Sequence, residues 1–172
     1  MADQANSAPH VQRRSWGARE LALMGLLVAL GTLSAHVLGL PVAGARAFPV
    51  QHAINVLCGV LLGPGPAVAV ALAISLLRNL LGVGTLFAFP GSIFGAFLAG
   101  MSYRATGKPE MAVIGELVGT GIIGGLAAFA MARWLLGQDA TAAAFVVSFL
   151  LSALVGAVVA YLILRLPGVV RR

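Results

Sequence analysis

Gln51, His52 and Asn55 place three hydrogen-bonding side chains in an otherwise apolar segment. On a helix, positions 51 and 55 share a face and 52 and 55 are neighbours. Arg78 and Asn79 follow, and the run Gly82–Ser92 beyond them carries Thr85, Phe87 and Phe89. Amide and ionisable groups at membrane depth are costly, so they tend to face a cavity or a partner. Donors and acceptors beside aromatic rings suit recognition of a small polar heteroaromatic molecule. Any one of these residues, taken singly, is better explained as capping a helix end or tying down a loop. The cluster as a whole points to a binding site.

Glu116 is the other polar residue set deep in an apolar run, Gly115-Glu-Leu-Val-Gly119-Thr120. A carboxylate there serves as a proton carrier or ligand contact, or it is neutral or paired with an arginine; the residues alone leave these open. His36 reads as an interfacial residue, and no His/Cys/Asp/Glu cluster has metal-ligand spacing, so no metal site is expected. There is no Gly-x4-Gly-Lys-Ser/Thr loop, no Gly-x-Ser-x-Gly and no His-Glu-x-x-His, and Gly91-Ser-Ile-Phe-Gly95 departs from a nucleophile elbow. No catalytic residue and no cofactor are expected in this chain. An intramembrane enzyme built on His52 and Glu116 is disfavoured, because the two are expected at different membrane depths. No voltage sensor, selectivity filter or inverted repeat is visible. A pocket without its own energy source suggests a subunit driven by partners.

The elements that must position these residues are helices in lipid. The chain of 172 residues is 60% hydrophobic and 9% charged, with a mean hydropathy of +1.00; a soluble domain carries roughly 25% charged residues. The net charge of +6 is scattered along helix flanks, with no basic patch interleaved with aromatics, so nucleic acid is not an expected partner. Cys58, the single cysteine, reads as a small hydrophobe. The apolar run Leu21–Leu40 is too long for a signal h-region and reads as an uncleaved first helix. Helices are expected at about 19–38, 50–62, 67–81, 92–103, 110–136 and 141–164, the second and third joined by Gly63-Pro64-Gly65-Pro66. This gives an all-α integral membrane protein of six transmembrane helices. One membrane domain covers 18–166, with a polar, disordered tail expected at 1–17 and a basic tail at 167–172.

With both termini inside, eight of the eleven basic residues lie on inner flanks and only Arg46, Arg78 and Arg133 lie outside, as positive-inside predicts. The amide and arginine groups at the two ends of the hairpin then share the outer level. Small residues form a second pattern. Gly91, Gly95 and Ala99, with Gly115 and Gly119, suit close internal packing. Ala18, Ala22, Gly25 and Ala29 make a stripe on the first helix, which serves packing or another protein; spacing does not decide. Trp134 reads as an interface anchor.

Several strings together resemble a known family: Pro49-Val-Gln-His52-Ala-Ile-Asn55-Val, Leu-Leu-Gly63-Pro64, Arg78-Asn79 with Gly84-Thr85-Leu-Phe-Ala-Phe89-Pro90-Gly91-Ser92, and Gly115-Glu116 with Gly119-Thr120. The chain resembles the ThiW family of substrate-binding S components of energy-coupling factor (ECF) vitamin transporters, from the first helix to the sixth. The resemblance implies uptake of the thiazole moiety of thiamin, hydroxyethylthiazole, across a prokaryotic plasma membrane. It implies a transmembrane T component and two ATPases as partners, the ATPases using the ATP. It also implies an Ala-xxx-Ala contact to the T component, which Ala18 and Ala22 fit and Gly25 and Ala29 extend. On this reading Gln51, His52, Asn55, Arg78 and Asn79 hydrogen-bond the ligand. Phe48 and Phe89 stack on it or close over it, Thr85, Glu116 and Thr120 complete the site, and the segment Gly39–Pro49 acts as a lid. Related S components carry other vitamins or pyrimidines. The alternative from a different class is a membrane assembly subunit whose polar residues contact protein.

Overall fold

A computed structural model of the chain describes residues 16–37, 40–42 and 45–170, and for 40–42 and 45–47 only the backbone. Most of the expected N-terminal tail, the lid residues Gly39, Ala43 and Gly44, and the flank residues Arg13, Arg14, Arg171 and Arg172 lie outside the described residues. The described residues form six helices: α1 (Ala18–Val37), α2 (Pro49–Leu61), α3 (Pro64–Leu80), α4 (Ala88–Thr106), α5 (Pro109–Leu135) and α6 (Ala142–Leu164). Between α1 and α2 runs an antiparallel ribbon, β1 (Leu40–Val42) and β2 (Ala45–Ala47), with Leu40 opposite Ala47 and Val42 opposite Ala45. The expected lid is thus partly a paired ribbon.

Local chemistry explains the helix starts. Pro49, Pro64 and Pro109 each open a helix, where proline's missing N–H costs nothing and its fixed φ is already helical. Thr141 caps α6, its hydroxyl accepting the Ala144 N–H at 3.4 Å. Gly107, at φ 67°, takes the left-handed conformation that ends α4 and turns the chain into α5. Two expected boundaries move for the same reason. α3 begins at Pro64 rather than Ala67, and α4 at Ala88 rather than Ser92. Proline is compatible with a helix's first turn, so Pro64-Gly65-Pro66 and Pro90-Gly91 lie inside helices rather than in loops.

Three helices, α1, α5 and α6, are long and apolar enough to cross a membrane. α2 has 13 residues, about 20 Å of helix against a hydrocarbon core of about 30 Å. It is buried within the bundle. α4 is central, packing on α2, α3 and α5 through Gly91, Ser92, Gly95, Ala96, Ala99 and Gly100. In α5 the turns widen to an i→i+5 pattern over Leu117–Gly124 and again over Met131–Leu135, a departure common at functional sites.

Missing side chains let these helices approach closely. A Cβ on Gly115 would lie 2.5 Å from the Leu98 carbonyl oxygen, one on Gly59 would lie 2.8 Å from the Gly100 nitrogen, and one on Gly156 would meet the Pro49 carbonyl and lie 2.8 Å from the His52 Cβ. The small residues of α4 and α5 therefore serve internal packing. The stripe on α1 does not. Ala18, Ala22, Gly25 and Ala29 are all exposed, while Met24, Leu27, Gly31, Thr32 and Ala35 face inward.

Filling these contacts has opposite consequences at two glycines. Gly156→Val is expected to destabilise the protein by about 1–3 kcal/mol through overpacking of α6 on α2. Gly25→Ala, with open space around it, is expected to be neutral or stabilising by up to about 1 kcal/mol. Cys58 is fully buried, so thermal unfolding in detergent can be followed by its reaction with a thiol-reactive dye. Equal melting temperatures for the two variants would contradict this packing.

Candidate functional site

α2 starts inside the bundle rather than at its end. The Phe48 N–H donates to Ser152 Oγ at 3.0 Å, in the middle of α6. That offset lowers Gln51, His52 and Asn55 by several residues and overturns the expected separation in depth between His52 and Glu116. His52 Nδ1 and Glu116 Oε1 share a hydrogen bond of 2.9 Å.

Glu116 sits on α5 where the turns begin to widen, and its side chain is fully buried. Its Oε1 also accepts from Asn55 Nδ2 at 3.1 Å and lies 2.8 Å from Thr120 Oγ1. Thr120 is 3.0 Å from the Gly91 carbonyl as well, so its single proton is shared between two acceptors. On the far side of the carboxylate, Gly95 of α4 makes the room: a Cβ there would meet Thr120 Oγ1 and lie 2.5 Å from Glu116 Oε2. In place of the arginine partner that the sequence allowed, Glu116 has hydrogen bonds to His52, Asn55 and Thr120.

A second string of bonds runs through α2, α3 and α4. Arg78 Nη1 donates to Gln51 Oε1, Gln51 Nε2 donates to Ser75 Oγ at 3.0 Å, Ser75 and Ser92 share a hydrogen bond of 2.8 Å, and Ser92 Oγ donates to the Ala88 carbonyl at 2.6 Å. The two strings meet where Asn55 Nδ2 reaches the Ser92 carbonyl at 3.4 Å. Arg78 is 1% exposed. It stands one turn from Ser75 on the inward face of α3, so its place on the outer flank in the charge tally is corrected to the interior of the bundle. Its guanidinium carbon lies 3.6 Å from the centre of the Phe48 ring, a contact that favours a desolvated cation.

The structure thus joins Phe48, Gln51, His52, Asn55, Arg78, Glu116 and Thr120. The other candidates lie at the border of this network. Asn79 Nδ2 donates to the Ser75 carbonyl at 2.8 Å and to the Thr85 carbonyl at 3.1 Å, tying down the turn after α3, and Thr85 is exposed. Phe89 is half-buried in the first turn of α4. Ser75, Ser92, Ser152 and the opening at Gly95 were not among the expected site residues. Ser75 carried a faint signal: it is polar and one turn from Arg78 in an apolar helix. Among the described residues no group of His, Cys, Asp and Glu is placed to hold a metal.

Four polar atoms of this network are buried without a hydrogen-bond partner: Asn55 Oδ1, Arg78 Nε, Arg78 Nη2 and Glu116 Oε2. Arg78 and Glu116 are the two buried charged residues among those described. Buried polar groups left unpaired cost about 1–3 kcal/mol each, so the arrangement holds reserve capacity for bonds to a further molecule.

The network makes a prediction about Glu116 itself. Glu116→Ala strands the donors of His52 and Asn55 and is expected to cost about 3 kcal/mol or more. Glu116→Gln keeps one acceptor and is expected to cost clearly less. Equal drops in melting temperature, read by dye labelling of Cys58, would show that the carboxylate does not organise these helices.

A family model described as "Thiamine-precursor transporter protein (ThiW)" matches residues 21–167. That range takes in every residue of the buried network. Searches among curated proteins and among solved structures each returned no match. The chain belongs to the ThiW family of thiamine-precursor transporter proteins, and with its long apolar helices it is a membrane protein.

Proposed function

We propose that this chain is the substrate-binding S component of an ECF-type importer and captures hydroxyethylthiazole, or a close thiamin-pathway relative, at the network between α2, α3, α4 and α5. The observation that carries the reading is that network: buried polar side chains from four helices, bonded into one unit, with acceptors and donors still unpartnered. Paired groups of this kind tie helices together in lipid, but the unpaired ones are a cost that packing does not repay. Gln51, His52, Asn55 and Arg78 are the proposed ligand-bonding residues, with Phe48 and Phe89 as aromatic walls. Asn79 and Thr85 shape the turn beside them, and Glu116 and Thr120 hold His52 and Asn55 in place.

The proposed setting is the plasma membrane of a prokaryote, crossed by the single unit 18–166, with both termini and the flanking tails cytoplasmic. Supporting this orientation, Lys108 borders the end of the bundle where Arg165 Nη2 donates to Glu110 Oε1 at 2.7 Å, while Arg133 pairs with Asp139 at the opposite end. The exposed stripe Ala18, Ala22, Gly25 and Ala29 is the proposed face for a transmembrane T component. Two partner ATPases would supply the energy. The chain itself is proposed to be no enzyme and to need no cofactor.

Radiolabelled hydroxyethylthiazole is expected to bind the purified protein saturably, with affinity falling at least about tenfold in the Asn55→Ala, Arg78→Ala double variant. Equilibrium binding in detergent checks both. Absence of saturable binding would favour a membrane assembly subunit, and unchanged affinity in a folded double variant would move the site elsewhere.

A further inference from the structure

The two unpartnered nitrogens of Arg78 are not an arbitrary pair. Nη1 is spent on Gln51, and the ring of Phe48 covers a face of the guanidinium. What remains is Nε and Nη2. These two N–H groups lie side by side along one edge of the planar fork and point the same way, with a spacing that matches the two oxygens of a carboxylate or phosphate. Among the described residues no carboxylate fills that edge. Glu116, the other buried ionisable residue, is engaged by His52, Asn55 and Thr120 instead.

Arginine keeps its charge at any physiological pH, so burial at 1% exposure leaves a full cation with one neutral acceptor and an aromatic face. A neutral alcohol could satisfy one of the two free donors and would bring no countercharge. An oxyanion would satisfy both and neutralise the cation. We infer that the free Nε/Nη2 edge of Arg78 receives an anionic two-oxygen group of the ligand, so that the preferred substrate is a heteroaromatic carrying a carboxylate or a phosphate ester. The inference rests on the reading of the buried network as the ligand site and refines what that site selects.

Three probes on the wild-type protein test it: hydroxyethylthiazole, its phosphate monoester, and the analogue whose arm ends in a carboxylate in place of the alcohol. At least one of the two anions is expected to bind about tenfold or more tighter than the alcohol, in line with a charge-assisted bidentate pair. Whichever anion wins identifies the source of the two oxygens. Arg78→Lys keeps the charge and loses the fork, and it is expected to erase most of that preference while the protein remains monodisperse. If that variant does not fold, the wild-type series decides alone. Binding of the alcohol as tightly as both anions, or more tightly, overturns the inference and leaves the proposed function standing. A preference for anions that survives intact in folded Arg78→Lys overturns the assignment to the fork. Failure of all three probes to bind overturns the inference together with the proposed function.

Discussion

A carboxylate removed from water must be surrounded by donors, and the centre of this bundle is organised by that requirement. Glu116 Oε1 draws His52 and Asn55 from α2 and Thr120 from its own helix, while the bare Cα of Gly95 in α4 lies against the other oxygen. Three helices are thereby held to one point. A larger residue at 95 would separate α4 from α5, and an aliphatic residue at 116 would leave the donors of α2 unanswered in a medium that offers no water to replace them. The glycine contacts elsewhere in the bundle follow the same geometry, because the polar groups meet only if the backbones come close.

Much of the fold could be read from the chain. Hydropathy locates helices because lipid demands apolar surface, and Gln51, His52, Asn55, Arg78 and Glu116 stand out because each interrupts such a surface. What the sequence did not reveal was relative depth. The offset of α2 goes with Gly156 of α6, which lets the Pro49 carbonyl and the His52 Cβ sit against its backbone. Neither contact leaves a mark on the local pattern of α2. For that reason His52 and Glu116, more than sixty positions apart in the chain, were expected at separate levels although they touch.

The serines show a second limit. Ser75 and Ser92 are small and mildly polar, and such residues are ordinary in lipid-embedded helices, so neither was singled out as a site residue. Their importance comes only from the neighbours that folding gives them. Asn79 shows the reverse. It looks like a partner of Arg78 by adjacency, yet one step along a helix turns a side chain by about 100°, and Asn79 faces the turn instead of the core.

The string from Arg78 to Ala88 has one further property. Arginine can only donate and a carbonyl can only accept, so both ends of the string are fixed in sense. The amide of Gln51 must then point its oxygen at Arg78 and its nitrogen at Ser75, and the hydroxyl protons of Ser75 and Ser92 must both run toward α4. Only one arrangement of protons satisfies every link. The interior is therefore electrically directional: three helices share a single row of aligned dipoles, whose sense is dictated by the arginine at its head.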